Sequence, residues 1–208
     1  MVNSRGYTQG VADTVEQTEQ TEQTEDELRA ERDARRMYLL ATVRQYPDAV
    51  LRMETREVLE FDRALQELVE RMTVVMDHAN GAGLAAPQIG VLQRVFVHRA
   101  TEETDPVALV NPRIVESSEE RASSEEGCLS LGAAEVLVEV ERPVRVSVQA
   151  RTLTGEEISF DAEGFEARVI QHEVDHLDGI LIIDRADAEQ RKAALAKLRP
   201  MPVLGALR

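Results

Sequence analysis

The chain has 208 residues and a formal net charge of -15 at pH 7, enough for one ordinary domain with a real core and short for two. So acidic a protein excludes a general nucleic-acid binder, because neutralising phosphates needs a basic surface. The single cysteine, Cys128, cannot form an internal disulfide, and there is neither a basic-then-apolar leader nor a run of about 18 apolar residues, so a soluble cytoplasmic protein without membrane contact is expected.

Val15 to Asp26 repeats Glu, Gln and Thr with almost nothing to bury, so residues 1–36 are expected to form a disordered or loosely helical acidic leader. A folded domain is expected over residues 37–199 and a short tail over 200–208. Order should begin in the apolar stretch Met37 to Tyr46, which ends at the turn Tyr46-Pro47-Asp48. From Asp62 to His78, Leu65, Leu68, Val69, Met72, Val75 and Met76 recur at helical spacing behind a capping aspartate. Asn80-Gly81-Ala82-Gly83 ends that helix, and Arg94 to Val97 and Ala108 to Val110 read as short strands, the second broken by Asn111-Pro112.

Val136 to Val140 and Val144 to Val148, separated by Arg142-Pro143, suggest an antiparallel meander. Thr154-Gly155 marks a turn before a strand at Ile158 to Phe160. Glu163-Gly164 leads into a helix from Phe165 to Leu177, and a last helix covers Ala186 to Leu198. The expected class is α+β, with antiparallel sheets packed around a central helix and a helix at the C-terminal end.

That central helix carries His172-Glu173-Val174-Asp175-His176, the HExxH pattern. Positions four apart share a helix face, so both imidazoles can reach one ion, while Glu173 is rotated off the ligand line and suits a base. A catalytic site of this type takes a third protein ligand and leaves the fourth place open. His78 and His98 have no companion ligands and read as ordinary histidines. Cys128, in Glu126-Gly127-Cys128-Leu129-Ser130, is the better candidate: Gly127 permits close backbone approach and the Leu129 amide can face a substrate. A lone cysteine is otherwise most often a small buried hydrophobe.

Gly81-Ala82-Gly83-Leu84-Ala85-Ala86-Pro87-Gln88, then Glu126 to Ser130, then Gln171-His172-Glu173-Val174-Asp175-His176-Leu177-Asp178-Gly179 together resemble the signature of the peptide deformylase family. The similarity runs from Arg44 to Asp184, about two-thirds of the chain. The resemblance implies hydrolysis of the N-formyl group from the initiating methionine of new proteins, releasing formate. It implies that Cys128, His172 and His176 bind one divalent ion, ferrous iron first, with zinc, nickel or cobalt able to replace it. It makes Glu173 the proton carrier, assigns the anionic oxygen to the Gln88 carboxamide and the Leu129 N–H, and places Gly83 against the peptide substrate. Ala82, Gly127, Phe165 and Val169 are further candidates for the substrate wall.

Two departures stand out. Relatives continue after the cysteine motif through a proline and then an arginine, where this chain has Leu131-Gly132-Ala133-Ala134-Glu135, and Ala82 is smaller than the usual aliphatic residue. The only lysines, Lys192 and Lys197, lie with Arg185, Arg191 and Arg199 near the last helix, which in some relatives docks on the ribosome. A zincin-like peptidase taking Asp184 or Glu189 as third ligand is the alternative reading, and an inactive peptide-binding paralogue is a further one.

Overall fold

The computed structural model describes residues 29–101, 104–132 and 136–198. The expected leader up to residue 28, Ala133 to Glu135 of the departing segment, Arg199 and the tail over 200–208 lie outside them. The chain divides into two units, Met1–Ala41 and Thr42–Arg208. In the first, α1 is helical through residues 29–40 and mostly exposed, with Met37 and Tyr38 at 72% and 74% exposure.

The second unit is α+β, and the pairings between strands among its described residues are antiparallel, with one isolated parallel bridge between Arg56 and Gln93. Strands β1 (Gly83–Ala85), β2 (Val95–His98), β3 (Val107–Ser117), β6 (Arg145–Arg151) and β7 (Glu157–Glu163) form a sheet in the order β1-β2-β3-β6-β7. Strands β4 (Arg121–Gly127) and β5 (Leu137–Pro143) form a second, two-stranded sheet. Helix α2 (Arg63–His78) is as its periodicity predicts: Asp62 accepts the Leu65 N–H at 3.1 Å, and all six periodic apolar residues are buried. Each such full burial contributes roughly 1.5–3 kcal/mol.

Helix α3 (Gly164–Leu177) sends Ala167, Ile170, Val174 and Leu177 into the main core, where they meet Phe96, Leu109, Val146 and Val148 from the five-stranded sheet. A second core gathers Leu51, Cys128, Leu131, Val138, Val140, Leu181, Ile182 and Ile183. The short helix α4 (Ile182–Arg185) and the last helix α5 (Ala188–Lys197) follow α3. None of the described helices is long and apolar enough to cross a membrane.

Two expectations change. Asn111-Pro112 does not end β3; the strand runs on to Ser117 through a register shift between Val110 and Arg113. Asn111, at a φ of 51°, uses its carboxamide to accept from Val58 N–H at 2.8 Å and donate to Val58 O at 2.9 Å, so a side chain compensates the disrupted ladder. The meander across Arg142-Pro143 is absent, because β5 pairs with β4 while β6 pairs with β3 and β7; the chain changes sheets there. The Thr154-Gly155 turn does join paired strands, β6 and β7.

His98 is 2% exposed, and neither ring nitrogen has a hydrogen-bond partner among the described residues. Its ring packs edge-on to Phe96 at 5.6 Å. Burial lowers its pKa from 6.5 to about 4. The unfolded chain therefore takes up this proton more readily, and stability is lost as pH falls from about 6.5 towards about 4. The full effect is about 3 kcal/mol at 1.36 kcal/mol per unit. Urea unfolding across that window should show His98→Leu losing less stability than the parent by this amount; parallel pH profiles would contradict it.

Candidate metal centre

Helix α3 delivers His172 and His176, whose ring centroids lie 4.9 Å apart at an interplanar angle of 72°. Cys128 arrives from a different part of the fold, just after β4, where it precedes the 3-10 turn Leu129–Leu131. Its Sγ lies 3.2 Å from His176 Nε2. One donor atom from each of the three residues falls within 4.8 Å of the others. One thiol sulfur and two imidazole nitrogens are the donor set of a tetrahedral site that keeps its fourth position open, and the cluster fits one divalent ion.

The orientation of His172 comes from Glu126, whose Oε2 lies 3.0 Å from His172 Nδ1. A carboxylate only accepts, so Nδ1 carries the proton and Nε2 is left to face the cluster. Glu126 also accepts from Arg142 Nε at 2.7 Å and Nη2 at 2.9 Å, and from Arg168 Nη1 at 2.6 Å. Arg142 Nη1 then donates to Asp175 Oδ2 at 2.8 Å, and Arg185 bonds the same aspartate. Burying this many charges is unfavourable unless each is paired, and here each has a partner.

Burial favours the neutral form of Glu126, but the bonds from His172 and Arg142 outweigh it and hold the carboxyl down at about 2. Burial likewise disfavours a charged His172, yet the Cys128 sulfur and Glu126 push it up to about 10. His176 is held well below the ordinary imidazole range by burial and by the His172 charge. The surroundings thus favour positive charge on the His172 side of the cluster and disfavour it at His176.

The role of Glu126 was hidden in the sequence, although it stands two residues before Cys128. Arg142 was hidden too. On β5, Val138, Val140 and Arg142 are the alternating buried positions, and an arginine at the third calls for buried carboxylates.

Glu173 is 3% exposed, burial raises its pKa to about 7, and its Oε2 has no partner among the described residues. A Cβ added at Gly83 would come within 2.8 Å of Glu173 Cγ, so glycine there makes room for this side chain. Gln88 is 2% exposed; its Oε1 accepts the Ala85 N–H at 2.8 Å, which turns Nε2 towards Ser130 Oγ at 3.3 Å and Cys128 Sγ at 3.7 Å. Leu129 opens a 3-10 turn, so its N–H has no acceptor within that turn.

The other sequence candidates divide. Ala82 and Phe165 line one cavity of about 440 Å³ together with Asp77, Asn80, Arg99 and Thr101, whereas Val169 is buried and neither it nor Gly127 is on that wall. Asp184, a third ligand in the peptidase reading, accepts the Leu181 N–H at 2.9 Å and pairs with Arg52 instead, and Glu189 is exposed. Of the basic residues near α5, Arg185 is bonded to Asp175 and Arg191 pairs with Asp184 at 3.5 Å.

The family profile described as Polypeptide deformylase matches residues 40–192. A peptide deformylase of Thermotoga neapolitana is 48% identical over 149 residues, covering 72% of this chain and 88% of that protein. The crystal structure of peptide deformylase from Thermotoga maritima matches with a TM-score of 0.66 at 46% identity, over 70% of this chain and 96% of that one. A peptide deformylase structure from Legionella pneumophila matches with a TM-score of 0.71 at 37% identity, over 75% of this chain and 91% of the other. With a profile match across most of its length and relatives this similar, the chain belongs to the polypeptide deformylase family.

Proposed function

We propose that this chain removes the N-formyl group from the terminal methionine of newly made proteins by hydrolysis, with Cys128, His172 and His176 holding one divalent ion. The observation that carries the reading is the approach of Cys128 Sγ to His176 Nε2, 3.2 Å across 48 residues of sequence, on the helix that also bears Glu173. A bound divalent ion supplies Lewis acidity, making water easier to deprotonate and the formyl carbonyl easier to attack.

The remaining work falls to the chain. Glu173 takes a proton from the attacking water and gives it to the departing amine, so water and formamide become formate and a free amino terminus. Negative charge gathers on the former carbonyl oxygen, where the Gln88 Nε2–H and Leu129 N–H donate to it. The peptide lies along β1, an edge strand of its sheet, where Gly83 gives the Glu173 side chain room. Ferrous iron is the ion proposed from the family resemblance, and the cytoplasm, where formylated chains emerge, is the proposed location.

The test is formate release from formyl-methionyl peptides by protein purified anaerobically with ferrous iron. One bound ion per chain with no formate from any formylated peptide would leave only a binding role. Cys128→Ser should lower metal retention at least tenfold, since a hydroxyl is a poorer ligand than a thiolate. Unchanged retention, read by metal analysis after dialysis, would return the third ligand to a residue other than Cys128.

A further inference from the structure

One short segment touches both backbone pieces that carry the proposed oxyanion donors. The Arg44 N–H donates to Gln88 O at 2.7 Å, and the Tyr46 N–H donates to Ser130 O at 2.9 Å. Between them the Gln45 carboxamide uses both ends: Nε2 donates to Leu129 O at 2.9 Å, and Oε1 accepts the Gly132 N–H at 3.1 Å.

The turn so clasped is short. Leu129–Leu131 is a single 3-10 turn, with the Leu131 N–H donating to Cys128 O at 3.0 Å, and Gly132 closes it at a φ of 81°. Short 3-10 pieces have poor hydrogen-bond geometry and need outside support. The peptide plane bearing the Leu129 N–H is fixed at Cys128 O by that bond, and the next plane is fixed at Leu129 O by Gln45. Both rotations at Leu129 are therefore set, one from inside the turn and one from outside.

We propose that Gln45 is a positioning residue for deformylation, holding the Leu129 peptide so that its N–H and the Gln88 carboxamide present one fixed gap to the formyl oxygen. The inference rests on the roles given above to Gln88 and Leu129. An oxyanion site works because its donors are already in place when charge develops, so a turn free to rock loses rate in the transition state and leaves ground-state binding intact. A carboxamide is the side chain this position requires, since it offers a donor to Leu129 O and an acceptor to Gly132 N–H at once. Glutamate could accept from Gly132 but would set an oxygen against Leu129 O.

Full-length, metal-loaded Gln45→Ala should release formate with kcat lowered about tenfold at unchanged KM, metal content and melting temperature. Gln45→Glu, which keeps the Gly132 contact, should fall at least as far, and it serves if the alanine variant fails to fold. Gln88→Ala is measured beside them. A normal kcat in Gln88→Ala would overturn the oxyanion assignment itself. A loss in Gln88→Ala with normal kcat in both Gln45 variants would overturn the positioning role alone, as would a change in KM only or a loss that tracks metal content or melting temperature.

Discussion

Glu173→Gln should fold, keep its metal and lose formate release on the order of 10³-fold, the scale of a lost general acid–base group. Glutamine matches glutamate in size, so it can lie in the space that Gly83 leaves open, but it cannot accept the proton of the attacking water. The comparison is made at saturating formyl-methionyl peptide, where kcat alone reports the change and KM should move little. Metal analysis of the same sample separates the two functions of α3, because the ligand positions His172 and His176 are unaltered. A variant that releases formate within a few-fold of the parent rate would remove Glu173 from the proton path.

The candidate ligand pair His172 and His176 was legible in the sequence because its spacing carries geometry. A step of four positions from His172 to His176 is about one helical turn, and that turn survives into the fold. The strand β4 was invisible for the opposite reason: in Arg121–Gly127 the only buried residue is Glu126, so neither alternation nor an apolar run marks it, and it exists through pairing with β5. Asn111-Pro112 shows local preference losing to tertiary context, since a bulge and a bond pair to Val58 carry β3 past a proline. The partition of β5 and β6 between two sheets follows from which apolar faces meet, with Val138 and Val140 in one core and Val146 and Val148 in the other. Sequence spacing alone does not encode that choice. Nor does it reveal Gln45, whose partners lie 84 and 87 residues away.

Arg142→Met, measured without bound metal, should cost about 3 kcal/mol of stability at pH 7, the lower end of what removing one member of a buried charge cluster costs. The side chains of Arg142, Glu126 and Asp175 are 4%, 5% and 9% exposed, and methionine fills the volume while leaving both carboxylates without their shared cation. Arg168 and Arg185 still reach them, which keeps the loss from the upper end of that range. The pH dependence separates this cause from a packing defect. In the parent, Glu126 is held down at about 2 from 4.5, so its contribution is present above the unfolded value and is lost as pH falls towards 2. In the variant the carboxyl titrates higher, so the two stability curves should converge below about pH 4.5; a gap that stays constant would point to packing. Adding Glu126→Gln to Arg142→Met should recover part of the stability, since one uncompensated charge is gone, yet lower metal affinity about 10–100-fold because His172 loses the carboxylate that orients it. Stability and metal retention moving in opposite directions in one protein is the result expected if this cluster serves to aim His172; equal recovery of both would mean that the ring is held by its packing on α3.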